Sequence, residues 1–232
     1  MNNTWLEQAI GNNVQWCAAV GRAQGVASEI QPRAWISKRP MPLLYPNLIT
    51  LKPIAEIDDE LQQLQGQLPS GWGIKDSFSS LQITDRGFKV AFDAHWYVRA
   101  PEAVWPGGLE NDDVVFVVET SLELDEWTFA WGRSQGNATF PAPLLSDPGI
   151  DFVFVRRAGE VVAGLVANLS DQVVGVSNGF GAAADLLGCI QSLAQRYPNR
   201  AIVGYGSSLE LATLETVGFT ALGDLRVWLS SA

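Results

Sequence analysis

The chain has 232 residues, of which 47% are hydrophobic, including nine tryptophans and ten phenylalanines. This composition is typical of a globular protein with a sizeable core and excludes low-complexity disorder. The net charge of -10 argues against nucleic acid as a partner.

The N-terminal residues MNNTWLEQAIGNN lack the basic and apolar regions of a secretory signal. No apolar run reaches the ~20 residues that span a bilayer. Cys17 and Cys189 lie far apart with no cluster of histidines, which argues against a zinc site or a disulfide framework. We therefore expect a cytoplasmic protein with no membrane partner and no metal; its oligomeric state stays open.

Proline and glycine divide the first half of the chain into short elements. Helical spacing predicts one helix over residues 5–24 and a second, amphipathic helix over residues 54–68. The prolines between them permit only short extended segments. Strict alternation predicts a strand over Gly87–Arg99. Its buried face is expected to contain Phe88, Val90, Phe92, Ala94, Trp96 and Val98.

The segment EAVWPGGLENDD is the best candidate for a linker, and it predicts an N-terminal α/β lobe over residues 1–112 and a second domain over residues 113–232. Within the second domain, the pattern predicts a strand, a helix, an antiparallel meander of three strands, and then alternating helices and strands. The predicted fold class is therefore α/β, with a mixed sheet that changes from antiparallel to parallel pairing at the strand before Asn178.

The turn Asn178–Ala183, NGFGAA, joins the third meander strand to the next predicted helix, Ala183–Arg196. Glycine-rich turns of this kind are common for backbone reasons alone. Such a turn can also bind phosphate, because the first amides of a helix lack partners and small residues let an anion approach them. The residues themselves leave both interpretations open.

The order of elements, with SNGFGAAADLLG and the closing LATLETVGFTALGDLRVWL, resembles the GNAT N-acetyltransferase family over roughly Val114–Ala232. In that family the turn has the form R/Q-x-x-G-x-G/A and binds the pyrophosphate of acetyl-CoA. Gly181 and Ala183 match this form, whereas Asn178 replaces the usual Arg or Gln.

The closing segment departs from the family at two positions. Ser207 stands where many members have Asn, and Leu214 stands where they have a Tyr that can serve as general acid. The pair Gly218-Phe219 is retained. An enzyme with this sequence must therefore use another proton donor or none.

The resemblance implies an acyl-CoA N-acyltransferase-like fold and an enzyme that moves an acetyl group from acetyl-CoA to an amine. The acceptor would be a small-molecule amine, or the N-terminus or a lysine of a protein. The alternative is a catalytically inactive GNAT-like protein that binds an acyl-CoA or a protein partner. A glutamate at position 181 should then abolish CoA binding and spare the fold. The cofactor-binding residues implied are Val174, Val176, Asn178, Gly179, Gly181, Ala182, Ala183 and Ser207.

Two similar segments point to an internal repeat. RGFKVAFDAHW (Arg86–Trp96) and VGFTALGDLRVW (Val217–Trp228) both place Gly-Phe at the start of a strand and Trp nine or ten residues later. The first lobe would then be a degenerate acetyltransferase-like half. Two unrelated amphipathic strands would give the same pattern.

Several other side chains have two interpretations each. His95 suits proton transfer but is more often a hydrogen-bonded surface residue on a strand. Tyr205 could donate a proton or simply pack. Trp127 and Trp131 lie four apart and are expected in the core. The acids that could bind an acceptor, or only stabilise a helix N-terminus, are Glu119, Glu123, Asp125 and Glu126.

Overall fold

The structure, a computed structural model, describes residues 2–106, 115–135 and 140–231. In this part of the chain no helix is long and apolar enough to cross a membrane. The helices are α1 (Asn2–Ala23), α2 (Asp58–Leu64), α3 (Ser121–Gln135), α4 (Ala183–Arg196) and α5 (Ser208–Glu215). The strands are β1 (Glu29–Ile30), β2 (Ala34–Ile36), β3 (Leu48–Thr50), β4 (Gly73–Asp76), β5 (Phe88–Arg99), β6 (Val115–Val117), β7 (Ile150–Arg157), β8 (Glu160–Leu169), β9 (Val173–Phe180), β10 (Ala201–Gly206) and β11 (Thr220–Ser230).

The chain forms two compact units that are not successive halves of the sequence. Unit 1 contains Met1–Trp96 together with Leu222–Ala232, and unit 2 contains Tyr97–Ala221. The predicted division between residues 112 and 113 lies outside the described residues and stays a prediction.

Unit 1 contains a sheet with the strand order β1-β2-β3-β4-β11-β5. β3 and β4 are parallel, with Leu48 opposite Ile74, whereas β11 is antiparallel to β4. α2 lies in the connection between the two parallel strands, as expected for a crossover. A core cluster of unit 1 includes Trp72 and Ile74 from around β4, Phe88 from β5 and Trp228 from β11.

Unit 2 has the strand order β10-β9-β8-β7-β6, with the last residues of β5 beside β10. The pairs from β6 to β9 are antiparallel, and β9 and β10 are parallel. The predicted α/β mixed sheet is confirmed, including the change of direction at the strand before Asn178. One core cluster joins apolar residues of the sheet to α4 and α5, among them Val174, Val176, Cys189, Leu193, Leu211 and Leu214.

The strand predicted over Gly87–Arg99 is present as β5, but its predicted buried face is only partly buried. Phe88, Ala94, Trp96 and Val98 are buried, whereas Val90 and Phe92 are 44% and 47% exposed. All residues from 89 to 93 are exposed. Alternation predicts a strand because side chains point to opposite faces, but it does not determine how far along the strand a face is covered.

Trp127 and Trp131 lie in the core of unit 2, as their spacing on α3 predicts. Both are buried, and their rings stack with centroids 6.4 Å apart. The indole Nε1 of Trp127 donates to the carbonyl of Val153 at 3.0 Å. These tryptophans therefore fix α3 on the sheet, and their burial is accounted for without a ligand.

We predict that Trp228→Ala lowers the free energy of unfolding by about 3–5 kcal/mol, because it leaves a cavity where β11 packs in unit 1. The control Leu43→Ala removes a side chain that is 62% exposed and should cost less than about 0.5 kcal/mol. Urea denaturation of both variants measures the difference. Equal stabilities would contradict the placement of β11 in this core.

Candidate functional site

Strands β9 and β10 pair at their first residues only. Ala201 lies opposite Val173, Ile202 opposite Val174 and Val203 opposite Gly175, and the register between the two strands ends there. β9 continues to Phe180 beside β8, with Val176 opposite Ala167. β10 continues to Gly206. The two strands therefore part at their carboxyl ends, which confirms the predicted divergence, because their register does not extend beyond Gly175 and Val203.

The turn predicted over Asn178–Ala183 is shorter than expected, because β9 continues to Phe180 and only Gly181 and Ala182 connect it to α4. Asn178 has a positive φ of +53° and Gly181 one of +102°. Ala182 is the extended N-cap of α4 and provides no side-chain cap. The first intrahelical bond here runs from the amide of Leu186 to the carbonyl of Ala182. The small residues Ala182 to Ala184 are exposed. An anion can therefore approach the backbone amides at the start of α4, which have no intrahelical partner.

Gly181 is required by its contact with β8. A Cβ at this position would lie 2.7 Å from both the Cα of Ala163 and the carbonyl oxygen of Val162. The positive φ adds strain for any other residue. The expectation that a glutamate at position 181 spares the fold is therefore wrong, because the glycine carries a backbone contact in addition to any contact with a ligand.

The structure brings a cation to this turn that the sequence analysis missed. Nη2 of Arg157, at the end of β7, lies 2.9 Å from Oδ1 of Asp185 in the first turn of α4. The Asp185 carboxylate is nearly buried, whereas the Arg157 side chain is 51% exposed. The ion pair offsets the negative charge of Asp185. Electrostatic repulsion of a phosphate at the start of α4 is therefore weaker than the acidic residue alone would predict.

Ser207 and Leu214 both have structural roles in α5. The hydroxyl of Ser207 accepts from the amide of Glu210, and the Glu210 carboxylate accepts from the Ser207 amide at 2.7 Å, which forms a capping box. Leu214 is buried in the core cluster of unit 2. The hydroxyl of Ser207 is therefore engaged in holding the end of β10 to the start of α5.

The acids around α3 are held by local bonds. The amide of Glu119 and the amide and hydroxyl of Thr120 donate to the Glu123 carboxylate at 2.9–3.0 Å. Those bonds, led by the Glu119 amide, hold the pKa of Glu123 below its usual value. Glu126 accepts from Arg156 at 2.6 Å. Helix-end stabilisation and ion pairing thus account for both acids.

His95 lies in unit 1, where its Nδ1 is 2.7 Å from Oδ1 of Asp224. The neighbouring cross-strand pair joins Asp93 to Arg226 at 2.6 Å. These contacts are those of a hydrogen-bonded strand histidine. Among the described residues no group of three His, Cys, Asp or Glu side chains could hold a metal ion.

Comparison with solved structures identifies the fold. A GCN5-related N-acetyltransferase from Kribbella flavida aligns over 97% of this chain and 96% of its own, with a TM-score of 0.62 and 11% identity. A functionally unknown conserved protein from Staphylococcus epidermidis also gives a TM-score of 0.62, with 11% identity over 88% and 92% of the chains. The chain has the GNAT fold.

A third similar structure is a GCN5-related N-acetyltransferase-like protein from Streptococcus suis, with a TM-score of 0.55, 10% identity and 88% of each chain covered. No protein-family model matches the sequence. No curated protein matches it either. The GNAT resemblance is therefore confirmed at the level of the fold.

Two segments of the chain have a similar order of elements, although the strands that end them, β5 and β11, both lie largely in unit 1. The first series runs β3, α2, β4, a 3₁₀ turn at Thr84–Arg86 and β5. The second series runs β9, α4, β10, α5 and β11. In both series the two strands joined by the longer helix are parallel. Gly87 and Gly218, which precede β5 and β11, both have a positive φ, of +82° and +90°. The expectation that residues 1–112 are a degenerate acetyltransferase-like half stays a prediction.

The turn of unit 1 that corresponds to the glycine turn does not suit a phosphate. Residues 51–57 contain Pro53 and no glycine. The first turn of α2 carries Asp58, Asp59 and Glu60, and Arg33 binds Glu60 through two bonds of 3.0 and 2.8 Å. Because these carboxylates already occupy the positive end of the helix, an anionic ligand is expected in unit 2 alone.

We predict that Gly181→Ala destabilises the protein by about 2–4 kcal/mol, since the new methyl group meets the β8 backbone at a strained φ. Gly132→Ala is the control, because a Cβ there meets nothing within 4 Å inside α3 and alanine favours a helix by up to about 1 kcal/mol. Thermal and urea unfolding compare the two. A neutral Gly181→Ala would refute the contact.

Proposed function

We propose that this protein is an N-acetyltransferase that moves an acetyl group from acetyl-CoA to an amine. The observation that carries the proposal is the parting of β9 and β10 directly before the uncapped start of α4. A parted strand edge offers amides to an extended ligand, and a helix start offers them to a phosphate. Acetyl-CoA combines an amide-containing arm with a pyrophosphate, so one ligand satisfies both.

The cofactor-binding residues of this proposal follow the ligand along the site. The backbone of β9 near Val176 would bind the pantetheine arm, and the amides from Gly179 to Ala183 would bind the pyrophosphate. Val174 does not fit this role, because it lies opposite Ile202 in the paired part of the two strands. Asn178 lies in β9, where its positive φ coincides with the irregularity in the pairing with β8. Arg157 adds a positive charge beside the first turn of α4. Ser207 acts indirectly, since it caps the helix after β10.

Acetyl transfer to an amine requires little covalent chemistry from the protein. The chain has to hold the two reactants together, keep the attacking amine neutral and stabilise the charge on the carbonyl oxygen. The acceptor would be a small-molecule amine, or the N-terminus or a lysine of a protein, and the net charge of -10 favours a cationic acceptor.

A catalytically inactive acyl-CoA-binding protein is the second candidate. Leu214 favours it, because this buried side chain stands where the resemblance places a tyrosine that protonates the thiolate. Release of free thiol from acetyl-CoA in the presence of a panel of primary amines separates the two candidates. The enzyme gives amine-dependent release, and the inactive protein gives binding without release.

We predict that Ala183→Glu weakens acetyl-CoA binding by at least tenfold, because it places a carboxylate where the pyrophosphate would lie. The side chain is exposed in the first turn of α4, where a negative charge does not destabilise the helix. Ala212→Glu makes the same change on an exposed position of α5 and is the control. Calorimetric titration with acetyl-CoA measures both variants. Equal affinities in the two folded variants would show that α4 does not bind the phosphates.

A further inference from the structure

The first half of β5 lies beside β11 along one edge. The amide of Ser231 donates to the carbonyl of Gly87, the residue directly before β5, at 2.7 Å. Farther along the two strands, Nε of Arg226 donates to Oδ1 of Asp93 at 2.6 Å. This edge of β5 is therefore occupied, and the strand that neighbours β5 on its other side is β10.

β10 is too short to pair with the whole of β5. It has six residues, Ala201–Gly206, whereas β5 has twelve. The ring of Tyr97 lies against Gly204, with its hydroxyl oxygen 2.6 Å from where a Cβ of that glycine would be. Since paired strands advance together residue by residue, β10 reaches back along β5 only to about residue 94, whichever way it runs. Among the described strands, none is therefore left to pair with residues 89–93 on this side.

Residues 89–93, with the sequence KVAFD, are exposed on both faces of β5. All five are exposed, including 44% of Val90 and 47% of Phe92. Lys89 makes no hydrogen bond or ion pair with the described residues. An uncovered strand edge with apolar side chains is a template for pairing with another chain, and a lysine on such an edge opposes the pairing. The partner strand therefore has to offset the charge of Lys89.

The five exposed residues are complementary to a second copy of themselves. When two such strands run antiparallel around a two-fold axis at Ala91, Lys89 of one copy lies opposite Asp93 of the other, and Val90 lies opposite Phe92. Side chains that oppose each other in an antiparallel ladder lie on the same face. Opposite charges thus meet on one face and apolar side chains on the other. No other antiparallel register pairs all five residues with one another.

Asp93 retains a charge and free surface for this contact. Its side chain is 58% exposed although it accepts from Arg226. The hydrogen bond from Arg226 holds the pKa of Asp93 below its usual value, so the carboxylate is ionised at neutral pH. The two oxygens of a carboxylate accept about four hydrogen bonds in all, which leaves room for a second cation.

We propose that residues 89–93 of β5 form the interface of a symmetric homodimer, in which two copies of the chain pair antiparallel about Ala91. The pairing continues the sheet of one copy into the sheet of the other. Two-fold symmetry repeats each contact, so the dimer contains two ion pairs between Lys89 and Asp93. Because five residues per copy make a small contact, we expect a weak dimer with a Kd of about 10–100 µM.

Sedimentation velocity measures this association. The wild-type chain should change from monomer to dimer between about 5 and 500 µM. Lys89→Glu places two carboxylates opposite each other and should raise the Kd about tenfold or more. Lys52→Glu is the control, because it makes the same change of charge at an exposed lysine outside β5. The control should change the Kd less than about twofold.

A mixture of two variants tests the register. Asp93→Lys places two lysines opposite each other, so this variant should also fail to dimerise. When Lys89→Glu and Asp93→Lys are mixed in equal amounts, opposite charges meet again at both positions. The mixture should therefore form a heterodimer with a Kd within about fivefold of wild type. Circular dichroism of each variant alone verifies that both are folded.

Hydrogen exchange locates the contact. The amides of residues 89–93 should exchange more slowly at a protein concentration above the Kd than below it, whereas those of α4 should not change. Slower exchange confined to other residues of a dimeric protein would overturn the proposal.

The remaining outcomes also decide the proposal. A wild-type chain that stays monomeric up to about 500 µM excludes a second copy as the occupant of this edge. A dimer that Lys89→Glu does not weaken, or a mixture of the two folded variants that stays monomeric, overturns the pairing about Ala91.

Discussion

The separation of β9 from β10 is the constraint on which the proposed site depends. β9 pairs with β8 from Val174 to Ser177 and, after an irregularity in the register, again at Phe180 opposite Gly164. Gly181 then packs so closely on Ala163 that no Cβ fits between them. β10 instead ends in the capping box of α5 at Ser207. Because each strand is held by a different neighbour, the gap between them is built into the fold and does not require a ligand to open it.

The two helices that join parallel strands differ in their suitability for a phosphate. Both units place a helix between two parallel strands, but the units differ in what stands at the start of that helix. The N-cap of α4 and its first two residues are exposed alanines, and its first turn carries one acid, Asp185, which is paired with Arg157. The first turn of α2 carries three acids, of which Glu60 is bound by Arg33. Accessible amides favour anion binding, and several carboxylates at the same helix end oppose it. The start of α2 in unit 1 is thus unsuited to a phosphate.

Local pattern in the sequence predicted the elements of unit 2 well. α4 and β10 have the predicted bounds, because apolar spacing and the flanking glycines and prolines are local signals. β4 was missed because its residues Lys75 and Asp76 are charged but buried. The ion pair of Arg157 with Asp185 was also missed, since it joins residues that are far apart in sequence.

Backbone amide NMR during titration with CoA tests most directly the claim that the glycine turn of unit 2 is the phosphate site. The amide signals of residues 179–185 and of the end of β9 should shift, while those of residues 51–57 in unit 1 should not. The amide signals of residues 51–57 thus serve as the control within the same titration. Equal shifts in both turns, or shifts confined to other residues in a protein that binds CoA, would contradict the account.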